Sequence, residues 1–147
     1  MPRAARPPSR LAGELIGLPV ATFNDALAFL LGLQDRFRRR FHAALLLDED
    51  RRVVDGCVLT AKHHRAEDAL AYVLLGPVVR GGHALVFSAG HGPVGRATEE
   101  SLNLWNRLGE QAADAGVVLI DWLAADKEQI RSFAITERGA AAWDTPA

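Results

Sequence analysis

An apolar strand, Ala84 to Phe87, runs into the glycine-rich stretch Ser88-Ala89-Gly90-His91-Gly92-Pro93-Val94-Gly95-Arg96-Ala97, and Thr98-Glu99-Glu100-Ser101 then opens a helix. A strand, a loop and a helix in that order form a rigid edge from which side chains and backbone N–H groups project, so the junction is a natural place to build a site. The loop itself is poor in reactive groups. It carries a single histidine, His91, and no carboxylate before Glu99. Gly90, Gly92 and Gly95 match the spacing G-x-G-x-x-G. Pro93 removes a backbone donor from it, however, and Asp121 is the only nearby acid that could meet a ribose, so the match does not make a dinucleotide site.

Around this junction the chain reads as a mixed α/β unit in the order α-β-β-α-β-α-β-β. Thr22 or Asn24 caps a first helix whose apolar face runs from Ala26 to Leu33. His42–Leu47 and Val53–Thr60 are apolar runs on either side of the polar turn Asp48-Glu49-Asp50-Arg51-Arg52, which is a hairpin signal. Ala66–Leu75 is a second helix, ended by Gly76-Pro77. The helix that starts at Thr98 buries Leu102, Trp105, Leu108, Ala112 and Ala115, and stops at Gly116. Val117–Leu123 is a dense apolar strand interrupted by Asp121, and Gln129–Thr136 alternates as a half-exposed strand would.

With 147 residues, 49% hydrophobic and 24% charged, the chain suits one globular domain. Residues 1–20 are expected to be a flexible lead, 21–139 the folded domain and 140–147 a tail. A net charge of −1 provides no overall pull toward nucleic acid or membrane. No apolar run approaches the ~20 residues that span a bilayer, so a cytoplasmic protein without membrane contact is the expectation. Cys57 has no second cysteine to pair with and reads as a small buried hydrophobe.

Two further groups of residues stand out. Arg36, Arg38, Arg39 and Arg40, interleaved with Phe37 and Phe41, could hold a phosphate backbone. A solvated helix end, where cations complement the macrodipole, outweighs that reading. Trp105, Trp122 and Trp143 are either core or the anchors of a protein interface.

From Phe41 to Gly139 the chain resembles the JAB/MPN (JAMM) domain, in its RadC-like branch. The resemblance rests on three pieces in order: the hairpin FHAALLLDEDRRVVDGCVLTA, the strand and loop GGHALVFSAGHGPVGRATEESL, and the segment LGEQAADAGVVLIDWLAADKEQIRSF. It implies a mixed sheet flanked by helices. It also implies a site in which two histidines of a His-x-His motif and an aspartate hold zinc, with a hairpin glutamate as general base. Here the motif region reads Phe87-Ser88-Ala89, and no His-x-His occurs. Thr98 stands near the family serine, Glu100 or Ser101 near its aspartate with Glu99 beside them, and Asp121 is kept while Trp122 replaces the histidine after it. The resemblance therefore implies a domain that has lost its zinc ligands. It would act without catalysis as an interaction or scaffold module, associated with DNA repair, and need no cofactor. A protein partner or a second copy is expected, with nucleic acid as a further option. The other reading is an isopeptidase-like hydrolase whose zinc is held by His91, Glu100 and Asp121.

Overall fold

The computed structural model describes residues 9–10, 13–76, 81–90 and 97–143. Its centre is β2 (Phe41–Leu47), in which every residue is buried. A strand buried at every position must be covered on both faces, and the sheet meets that demand. β2 pairs antiparallel with β3 (Val53–Leu59) on one side and with β4 (His83–Ala89) on the other. β4 continues to β5 (Val118–Ala125) in parallel, and β5 to β6 (Ile130–Ser132) antiparallel. With β1 (Ser9–Arg10) on β3, the order across the six-stranded mixed sheet is β1-β3-β2-β4-β5-β6.

Alternation along the strands divides the core in two. Ala43, Leu45 and Leu47 face α1 (Phe23–Arg36), which contributes Ala26, Leu30 and Leu33, and Phe29 stacks on Phe87 at 5.9 Å. Ala44 and Leu46 face α2 (Ala66–Leu74) and α3 (Glu99–Asp114), which bring Leu70, Val73, Trp105 and Leu108. The result is a mixed α/β domain with helices on both faces of the sheet. Trp105, Trp122 and Trp143 are all buried and so belong to the core.

Local chemistry explains the boundaries. Thr22, of the two candidate caps, starts α1: its Oγ1 accepts from the Asp25 amide, and the Asp25 carboxylate accepts from the Thr22 amide. Thr98 and Ser101 exchange the same pair of bonds at the start of α3. Gly116, at φ +83°, ends that helix in the left-handed conformation that glycine adopts without strain. In the hairpin turn, Asp48 Oδ1 accepts from the amides of Asp50 and Arg52.

Three expectations change. The alternating stretch Gln129–Thr136 is not one strand. β6 covers only Ile130–Ser132, and α4 (Phe133–Arg138) follows at once. Ser132 is the reason: its Oγ accepts from the Ile135 amide, and the Ala134 amide donates to Asp121, so the backbone turns into a helix despite the two-residue period. The lead is held down where it is described. Ser9 and Arg10 pair with β3, the Gly17 amide donates to Val53, the Val53 amide donates to Leu18, and Val20 is buried. The described part of the tail forms a turn at Ala140–Trp143 that seats Trp143 in the core beside Phe23.

Cys57 is fully buried, and its Sγ donates to the Ala69 carbonyl. Burial pushes its thiol up to about 12, with the nearby Asp55 charge adding to the rise against a backbone hydrogen bond from Ala44. The native protein at pH 8 should therefore leave Cys57 unmodified by a thiol-disulfide reagent on the timescale of its reaction with free cysteine. Full reaction should follow in denaturant. Rapid reaction of the folded protein would contradict this burial.

Candidate functional site

At the C-terminal ends of the parallel strands β4 and β5, the sheet and the first turn of α3 enclose a cavity of about 470 Å³. Its floor is a hydrogen-bonded trio. His42 and Ser88 lie directly opposite each other on β2 and β4, and His42 Nδ1 is 2.6 Å from Ser88 Oγ. The Trp122 indole N–H donates to the same oxygen at 2.9 Å. An indole nitrogen only donates. Ser88 Oγ therefore accepts from Trp122, and its hydroxyl can donate to His42 Nδ1 or accept from it, according to the imidazole tautomer. Trp122 is in turn fixed by stacking on Phe133, with ring centroids 4.3 Å apart and planes 11° from parallel.

The walls are mixed in charge. Thr98, Glu100 and Ser101 come from the start of α3 and Arg107 from its third turn; Arg65 and Glu67 come from the start of α2, and Arg131 from β6. His64 also lines the cavity, and its Nδ1 is buried with no hydrogen-bond partner among the described residues.

Of the residues expected from the junction, the structure brings Ser88, Thr98, Glu100 and Ser101 to this cavity. Phe87 points to the opposite face, against Phe29, and Ala89 is buried on that same side. Glu99 is exposed in the first turn of α3. His91 lies outside the described residues.

Asp121 is absent from the cavity. It is fully buried, and both carboxylate oxygens are committed: Oδ1 accepts from the amides of Trp122 and Ala134, and Oδ2 from Ser132 Oγ and the Trp143 indole. Burial holds its carboxyl above the ordinary 3.8, against the pull of those four hydrogen bonds. Asp121 is thereby committed away from the zinc site of the hydrolase reading, whose His91 lies outside the described residues. Asp121 has its lone pairs turned into the fold, Ser88 occupies the strand end between His42 and Trp122, and no group of three ligating side chains converges among the described residues. No step through zinc follows from these residues.

Arg36, Arg38, Arg39 and Arg40 are exposed at the end of α1 and in the link to β2. They sit at the same end of the sheet as the cavity. Gly90, just past β4, lies so close to Arg40 that an added Cβ would stand 2.8 Å from the Arg40 Cβ. Its φ of +79° also requires glycine. Among the described residues, no helix is long and apolar enough to cross a membrane.

His42, His64, Arg65, Arg107 and Arg131 were not among the residues singled out as a site. Their convergence depends on strand register and helix packing. A histidine two residues into an otherwise aliphatic strand was the one available sign. No protein-family model matches the chain, and no curated protein matches its sequence.

Ser88→Ala would leave both the Trp122 indole and His42 without their shared partner. It should destabilise the fold by about 1–3 kcal/mol, the cost of stranding buried polar groups, as measured by urea unfolding. A variant as stable as the parent would show that the trio contributes nothing.

Proposed function

We propose that this chain is a RadC-like JAB/MPN domain that works by binding rather than by zinc-dependent hydrolysis. The observation that carries this reading is the trio at the end of β4. Where the resemblance puts a His-x-His motif, β4 carries Ser88 as its second-to-last residue, bonded to His42 on one side and to Trp122 on the other. Trp122 stands in place of the histidine that follows the aspartate in that family, and Asp121 serves the fold. The cavity and the neighbouring Arg36–Arg40 segment form one polar, cationic end of the domain, which suits contact with an acidic partner. A protein or a nucleic acid is the partner class, and a DNA-repair setting is part of the same proposal.

Metal analysis tests this reading. Protein made without a histidine tag in zinc-supplemented medium should retain only substoichiometric zinc after desalting, and a chelator should leave its melting temperature unchanged. One zinc per chain that disappears in His91→Ala would overturn the reading in favour of a hydrolase built around His91.

A further inference from the structure

The trio on the cavity floor puts a hydroxyl against a base. Ser88, Thr98 and Ser101 all bring hydroxyls to the cavity. Thr98 and Ser101 are bonded to each other, and Ser101 Oγ lies 2.9 Å from the Thr98 carbonyl, so they serve the start of α3. Ser88 differs from both. Its Oγ lies 2.6 Å from His42 Nδ1, within the reach that proton transfer to a general base needs.

The pair is held firmly. His42 and Ser88 are direct partners in the register of β2 and β4, and they are only 8% and 4% exposed. Packing of that kind fixes side-chain geometry, as a reacting pair requires. The Trp122 indole N–H donates to the same Oγ at 2.9 Å, from a ring stacked on Phe133. A fixed donor on that oxygen stabilises the negative charge that gathers there as its proton leaves. A hydroxyl oxygen has two lone pairs, so the bond from Trp122 leaves a second one for an electrophilic carbon.

The space above the pair suits a small organic molecule. Its volume of about 470 Å³ falls within the ~300–1,000 Å³ typical of such sites. Leu104, Ala124, Phe133 and Trp122 line it and would receive an apolar acyl group. The low exposure of Ser88 restricts that group to a slim one.

We propose that Ser88 is a metal-independent nucleophile toward small carboxylic esters, with His42 as its base in the tautomer that leaves Nδ1 unprotonated. Oγ bonds to the ester carbonyl carbon as the hydroxyl proton passes to Nδ1. The carbon–oxygen bond to the alcohol then breaks, and the alcohol leaves with that proton. Water attacks the acyl group on Ser88 and gives a proton to Nδ1. The acyl–Oγ bond breaks, and the proton returns to Ser88. One ester and one water become one acid and one alcohol. This activity goes beyond the family reading and is independent of the metal content that tests it.

Labelling of the full chain tests the proposal with an alkyl fluorophosphonate, and turnover with 4-nitrophenyl acetate. The folded protein should take up one phosphonyl group, placed at Ser88 by peptide mass spectrometry, and the chain in urea should take up none. The same protein should release 4-nitrophenolate faster than buffer alone. In folded His42→Gln both rates should fall about a hundredfold, the low end of what a general base contributes. Ser88→Ala is expected to be less stable, so the adduct on the parent decides. A folded parent without an adduct at Ser88 would overturn the proposal, whatever the variants do. Labelling as fast in folded His42→Gln as in the parent would also overturn it. One zinc per chain together with a labelled Ser88 would remove the family reading and keep this one.

Discussion

A single buried carboxylate organises the far half of this domain. Asp121 receives four hydrogen bonds from three places in the chain: its own strand at Trp122, the corner between β6 and α4 at Ser132 and Ala134, and the C-terminal turn at Trp143. Burying a carboxyl without partners costs far more than any one contact returns. The fold is therefore held to the geometry in which all four donors are present. That requirement turns the chain at Ser132, starts α4 there, and brings Trp143 into the core beside Phe23.

The neighbouring residue carries the consequence to the other face of the sheet. Successive side chains on a strand point in opposite directions, so Asp121 faces the α1 side and Trp122 the cavity. The corner that Asp121 fixes delivers Phe133, on which the Trp122 ring stacks. The ring's N–H is thereby aimed at Ser88, and Ser88 at His42. Two adjacent residues thus couple a structural clamp to the floor of the pocket. The strand end is closed by this chain of contacts, and arginines from α2, α3 and β6 stand around it.

Much of the architecture was legible in the sequence because it rests on local patterning. The aliphatic run before Asp48, the caps at Thr22 and Thr98 and the stop at Gly116 each rest on residues a few positions apart. The error at Gln129–Thr136 shows where such reading ends. Phe133, Ala134 and Ile135 suit a strand or a helix equally, and the choice was made by Ser132 together with a carboxylate eleven residues upstream. The site was legible only in part for the same reason. Ser88, Thr98, Glu100 and Ser101 are near one another in sequence and were found. His42 lies 46 residues from Ser88, and their pairing depends on a register that no local pattern encodes. Asp121 stood out as a charge in an apolar strand, but its role differs from that of a ligand because its partners come from the corner and the tail.

The pH dependence of stability in the parent and in Asp121→Asn tests this account most directly. Burial places the native carboxyl above 3.8, while the unfolded chain keeps the ordinary value, so between the two the native state binds a proton that the unfolded state does not. Asp121 therefore contributes stability that is complete below 3.8 and is lost as pH rises through its raised native value. Urea unfolding at a series of pH values from mildly acidic to neutral should show the parent losing stability relative to Asp121→Asn as pH increases. A constant difference, or a parent that gains on the variant with rising pH, would mean that Asp121 is not the buried clamp on which this fold depends.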